Sequence, residues 1–327
     1  MAHQITIRAD GFAEMAFVGE LPWHGLGQAL DENASMDAWR KAAGMDWTIE
    51  STPVTYEPAF NHDGSSLTFK ERFVQFRSDT KEPLSVVSAR YKPVQPSQVL
   101  EFFNDLAQYH GFKLHTAGTL FGGKRLWALA ETGKYGEIAK EDGVGGFLLL
   151  STSCDKSLAT TARFTTVRVV CNNTLSLAVK GGEAISFSHL TAWDADKMRD
   201  KISAQVETFG AFMEMSKHLQ KQRLTNDAAA NFLKQILFTP KELVERETAV
   251  GSAPLEKYRP YVKIMDLYNG EAKGWSLAGN TKWGLLNAVT EYLDHHSPAR
   301  SDDARLNNAW FGGGDALKNK AVELLAA

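Results

Sequence analysis

Residues 151–178 read STSCDKSLATTARFTTVRVVCNNTLSLA, and this stretch decides the fold class. It predicts a strand, a tight turn at Asp155-Lys156-Ser157, then a long strand that enters a helix near Asn172. Thr, Val and Phe favour strands because branched or flat side chains fit a pleated, half-buried surface. The same strand carries Arg163 and Arg168, with Lys156 at the turn and no acid after Asp155. A cationic hairpin rich in hydroxyls suits a phosphate backbone, which takes point charges and many small donors. From the sequence alone the pattern fits an ordinary half-exposed hairpin, whose charges face water, better than a phosphate site. A regular strand puts Arg163 and Arg168 on opposite faces, since their separation is odd. Both reach one ligand only if a bulge or a strong twist intervenes.

Two more hairpins precede this one. Trp47–Glu57 alternates as a strand, and the polar loop Asn61–Ser66 leads to a strand over Phe69–Arg77 that returns through Leu84–Val87. Phe112–Leu120 and Lys124–Glu131 flank the turn Phe121-Gly122-Gly123, and on the return strand Arg125, Trp127 and Leu129 share a face. An Arg beside a Trp serves either as a base-stacking and phosphate pair or as an Arg stem over an indole at a sheet edge. Helices intervene: one from the N-cap Ser35 to Gly44, and one with the stripe Val99, Leu100, Phe103, Leu106 and Ala107 closed by Gly111. Residues 1–34 are low in pattern apart from the turn Pro22–Gly27.

After Gly181-Gly182 the periodicity becomes helical. Helices are predicted over Ala195–Leu224 and Asn226–Phe238, from the capping box Thr239-Pro240-Lys241-Glu242, around Tyr258–Tyr268, and from Asn280/Thr281 through Leu293. The fold class is therefore α+β, with antiparallel β-hairpins and intervening helices followed by a helical C-terminal half. Three regions are expected: an acidic N-terminal arm with a short helix and the first strand (1–63), an antiparallel sheet core with basic hairpins (64–182), and a helical region packing on that core (183–327).

The composition, 43% hydrophobic and 23% charged over 327 residues, is that of a globular protein. Its net charge of −3 argues against a histone-like basic chain. The charge is uneven, however. Residues 1–63 hold three Lys/Arg against ten Asp/Glu, whereas residues 64–180 hold fifteen against ten. A polyanion is welcome only in that middle third, and the acidic first part could meet a neighbouring subunit's basic surface. No basic segment followed by an apolar run opens the chain, and no stretch has the apolar length of a membrane span. A cytoplasmic, membrane-free setting with Cys154 and Cys171 as free thiols is the expectation.

No phosphate-binding loop, dinucleotide fingerprint or paired-histidine zinc motif occurs. Asp294-His295-His296 is the densest ligand cluster, but neighbours on a helix point about 100° apart and do not share a metal. A histidine pair at a helix end fits it better. Cys171 lies before a predicted helix N-terminus with no local base, and reads as a structural cysteine. No catalytic residue, metal or cofactor is therefore assigned.

Several tracts carry a resemblance: Pro22-Trp23-His24-Gly25-Leu26-Gly27, Val87–Gln95 (VSARYKPVQ), Ala117–Trp127 (AGTLFGGKRLW), Arg168–Leu175 (RVVCNNTL) and Gly279–Tyr292 (GNTKWGLLNAVTEY). In this order they resemble the phage- and plasmid-related family catalogued as domain of unknown function nine hundred and thirty-two. The resemblance implies a bacterial, phage or plasmid origin and supplies no reaction. The order of hairpins, basic strand and packing helix is also similar to phage single-strand annealing proteins of the RecT, Red-beta and Erf type, which implies rings or filaments holding single-stranded DNA. The leading expectation is an oligomeric, non-catalytic single-stranded DNA binder that promotes annealing and recombination. Its contacts would be Arg90, Tyr91, Lys92, Lys124, Arg125, Trp127, Lys156, Arg163 and Arg168. The alternatives are a counter-defence protein that binds a host protein through the acidic N-terminal part, and an enzyme with a polar cleft the sequence does not reveal.

Overall fold

Alternation with period two decides how the strands bury themselves. Along β7 (Arg125–Glu137) the side chains of Leu126, Ala128 and Ala130 enter one apolar core, while Trp127 and Leu129 enter another. In β8 (Gly143–Ser153) Leu148 and Leu150 join the first core, and Phe147 and Leu149 the second. A strand apolar on both faces needs cover on both faces. The computed structural model supplies it, and describes residues 5–8, 10–19, 26–58, 65–168, 173–176, 185–187, 202, 207–248, 257–300 and 302–327.

The large sheet has the order β10-β9-β8-β7-β6-β1-β2, formed by β1 (Met15–Val18), β2 (Gln28–Leu30), β6 (Lys113–Leu120), β9 (Thr160–Arg168) and β10 (Asn173–Ser176) with β7 and β8. A further strand, β11 (Ile185–Phe187), also pairs with β9. All pairings are antiparallel except β1 with β2. A second sheet, β3 (Ile49–Tyr56), β4 (Leu67–Arg77) and β5 (Pro83–Ser88), is a separate antiparallel meander. Its β3–β4 hairpin projects from the body, leaving Tyr56, Leu67 and Phe69 exposed.

On the first face lie α1 (Met36–Ala42), α2 (Pro96–His110), α3 (Thr208–Lys221) and α8 (Lys282–Glu291), which contribute Trp39, Phe103, Phe212 and Trp283 to the larger core. The helical half also reaches the second face, where α9 (Asp302–Phe311) sets Trp310 edge-on against Trp127 at 5.2 Å between ring centroids. Among the described residues the remaining helices are α4 (Asn226–Leu237), α5 (Pro240–Thr248), α6 (Arg259–Asp266), α7 (Trp275–Ala278) and α10 (Gly313–Ala326). The expected caps form: Ser35 Oγ accepts from Ala38 N, and Thr239 and Glu242 exchange hydrogen bonds as a capping box. Gly111 closes α2 at φ 68°.

The α+β class and the helical C-terminal half are as expected. Four details differ. Asn173–Ser176 is a strand paired with β9, so these residues extend the sheet and are not the first turn of a helix. The N-terminal segment is no free arm, because β1 lies between β6 and β2 inside the large sheet. The boundary at residue 63 falls between β3 and β4 and so cuts one hairpin in two. Finally, acids of the first 63 residues pair within the chain: Glu14 with Arg77, Glu32 with Lys113 and Glu50 with Lys81. Those carboxylates are therefore occupied before any neighbouring subunit arrives.

Among the described residues no helix is long and apolar enough to cross a membrane. The turn Pro22–Gly25, the loop 61–64, Cys171, Gly181-Gly182 and the predicted start of the helix at Ala195 lie outside the described residues.

Candidate nucleic-acid interface

Three connections meet at one end of the large sheet. The β6–β7 turn runs through Phe121-Gly122-Gly123, with Gly122 at φ 70° and Gly123 at φ 91°. The second of these glycines is required, since a Cβ on Gly123 would lie 2.7 Å from the Trp47 ring. The turn delivers Lys124, whose carbonyl accepts from Cys154 N at 2.9 Å and so holds the β8–β9 turn alongside. Strand β5 and the loop after it close on the same place. Ser85 Oγ donates to Cys154 O at 2.6 Å, and Tyr91 Oη donates to Ser153 O at 2.8 Å.

This gathers Arg90, Lys92, Lys124 and Lys156, which are distant in sequence, around Tyr91. Arg90, Lys92 and Lys156 are exposed and Lys124 is half-buried. None of the four forms an ion pair among the described residues. Lys156 sits at φ 66°, a left-handed conformation that residues other than glycine rarely adopt. Asp155 Oδ1 accepts from Ser157 N at 2.9 Å and fixes that turn. The end of the sheet thus presents four cations, with Asp155 beside Lys156 in the β8–β9 turn.

The other expected contacts turn inward. Arg125 is only 6% exposed. Its guanidinium lies between the rings of Phe121 and Phe311, at 5.7 and 5.6 Å, and donates to Ser157 Oγ. Burial pushes its pKa down, with Asp155 opposing. Its Nε and Nη1 have no hydrogen-bond partner among the described residues. Trp127 is 2% exposed and its ring is taken by Trp310, so it offers no face to a base. Arg163 Nη1 meets Asp315 Oδ2 at 2.5 Å, on the side of the sheet covered by α9 and α10. Arg168 Nε meets Asp142 Oδ1 at 2.6 Å, on the opposite side beside Trp283. The β8–β9 register runs from Val144↔Arg168 to Ser151↔Thr161 without a bulge. The condition for both arginines to face one ligand is therefore not met. The expectation that Arg125, Trp127, Arg163 and Arg168 form one surface with Lys156 is corrected on these grounds. Their acids, Asp142 and Asp315, lie 26 and 152 residues away, and no local spacing announces them.

Cys154 is buried behind the same turn, its Sγ within 3.3 Å of Lys124 O. Burial, aided by nearby Asp155, pushes its thiol pKa up to about 12. The thiolate is the reactive species. Cys154 is thus expected to resist alkylation in the folded protein at pH 8 and to react fully in denaturant, as read by peptide mapping. Rapid native labelling would contradict this burial.

The Asp294-His295-His296 cluster does not converge. It lies in a wide helical turn, Tyr292–His296, where Asp294 is ion-paired with Lys318, and His296 Nε2 approaches Glu291 Oε1 at 3.7 Å. Among the described residues no group of three His, Cys, Asp or Glu is placed to hold a metal ion.

A family model described as Domain of unknown function (DUF932) matches residues 83–310, well over half of the chain. No curated protein and no solved structure matches it.

Proposed function

We propose that this chain, which belongs to that family of unknown function, is a non-catalytic protein that binds single-stranded DNA at the turn end of its large sheet and self-associates to promote strand annealing. The observation that carries this reading is the convergence of Arg90, Lys92, Lys124 and Lys156, without ion-pair partners among the described residues, around Tyr91. Unpaired cations on rigid turns release counterions when they meet phosphates. A setting in which phage or plasmid DNA recombines belongs to the same proposal. The projecting β3–β4 hairpin supports the self-association. Tyr56, Leu67 and Phe69 are 50, 45 and 46% exposed on it, and large apolar side chains grouped on one projection mark protein contacts.

The test is a salt titration of oligonucleotide binding. Changing Arg90, Lys92 and Lys156 together to Ala is expected to flatten the log–log salt dependence by roughly 2, since each lost single-strand contact removes about 0.7. Arg163→Ala and Arg168→Ala are expected to lower the melting temperature and leave the slope alone. A stable triple variant with the wild-type slope would end the DNA reading.

The same hairpin carries a second reading, in which the partner is a host protein and DNA plays no part. Mass photometry with and without an oligonucleotide separates the two. DNA-dependent oligomers support the first, and a monomer indifferent to DNA supports the second.

A further inference from the structure

Away from the sheet, helix α6 and the wide turn after α8 border an open cleft of about 450 Å³. That volume falls in the range of small-molecule sites, about 300–1,000 Å³. One wall comes from α6, where Arg259, Lys263 and Asp266 follow one another at helical spacing, with Lys257 just before the helix. The other wall holds Tyr292 and His296, one turn apart. The lining therefore carries three permanent cations against one acid. Lys263 is paired with Glu271 at 2.7 Å, whereas Lys257 and Arg259 form no ion pair among the described residues. Glu291 sits behind His296, 2% exposed, accepts from Lys273 N at 3.2 Å and backs the imidazole at 3.7 Å.

We propose that this cleft binds a small phosphate-bearing molecule. A phosphate group takes point charges from lysines and a planar fork from an arginine, and here both kinds border one open cleft. The neighbouring Tyr292 ring and Val262 give the organic part of such a molecule an apolar wall. His296 is a polar contact of the same wall, held in place by Glu291. The cleft is lined by other elements than the cationic sheet end, so the inference stands independently of DNA binding.

The experiment is calorimetric titration of the full chain with pyrophosphate and with AMP at constant ionic strength. Saturable binding is expected for at least one. Lys257→Gln with Arg259→Gln is expected to weaken it at least tenfold. Both side chains are exposed, so the variant is expected to melt with wild type. The Arg90, Lys92 and Lys156 triple variant is expected to bind as wild type does. Absence of saturable binding, an unchanged affinity in the cleft variant, or an equal loss in the triple variant would each overturn the proposal. Should the double variant melt early, Lys257→Gln alone serves, with the same tenfold direction and the same reversal.

Discussion

Asp142→Ala is expected to cost about 4 kcal/mol of stability, because it removes the carboxylate on which sheet and helices converge. Asp142 is fully buried in the turn between β7 and β8. Its Oδ1 accepts from Arg168 Nε at 2.6 Å and its Oδ2 from Trp283 Nε1 at 3.0 Å. Arg168 continues the chain of contacts, donating from Nη2 to Gly274 O at 3.1 Å. One carboxylate thereby ties a turn, β9 and α8 together. Breaking a buried pair by removing one partner costs roughly 3–5 kcal/mol, and an indole N–H left without its acceptor adds about 1–3 kcal/mol. The two losses overlap, so the lower part of their sum applies. For a chain of this length the melting temperature should fall by roughly 6 °C, measured by calorimetry. A variant melting within 1 °C of wild type would contradict the role given to this carboxylate. The double change Asp142→Ala with Arg168→Met should be less damaging than the sum of the singles, since it also removes the charge that needed pairing.

Glu14→Ala should be the next most damaging change, at about 3 kcal/mol, or roughly 4 °C. Glu14 is fully buried and receives Arg77 on both oxygens, at 2.7 and 3.0 Å, as well as Arg8 Nε at 3.0 Å and the hydroxyl of Thr119. The forked Arg–carboxylate pair joins the large sheet to the small one. Arg77 also stacks over Trp47 at 4.3 Å and keeps Asp79 as a second acid, which limits the loss. Burial alone would raise the Asp79 pKa, but its hydrogen bonds to Arg77 and to Thr80 N outweigh that and hold it below the ordinary value. The Asp79 contribution is thus complete above about pH 4 and is lost as pH falls through its depressed value. Glu14→Ala leans on that remaining pair, so the variant should melt lower as pH falls below 4. Thermal melts of Glu14→Ala and of Glu14→Ala with Asp79→Asn at pH 7 and pH 3 check this; equal acid losses in the two would contradict it.

The sequence by itself determined the local elements. Alternation along Arg125–Glu131 marked a strand, Thr239 and Glu242 marked a helix start, and Gly111 marked a helix end, because each signal acts within one turn or one pleat. It also determined that Arg163 and Arg168 lie on opposite faces, which follows from the period of a strand alone. What remained hidden depended on partners far along the chain. Nothing near Arg168 announces Asp142, and nothing near Arg163 announces Asp315. The basic hairpin therefore looked free in sequence, while tertiary packing buried Arg168 against Asp142 and paired the half-buried Arg163 with Asp315. Packing also recruited Met15–Val18 into the large sheet, although so short a strand gains its stability from neighbours more than from its own residues. The cleft beside α6 was invisible for a related reason. The apolar stripe of Tyr261, Val262 and Met265 identified the helix, but only the turn at Tyr292–His296 converts the charged edge of that helix into one wall of a cleft. Sequence fixes what each segment prefers within a few residues; which charges meet an opposite charge, and which are left facing solvent, is set by distances that exist only once the chain has closed on itself.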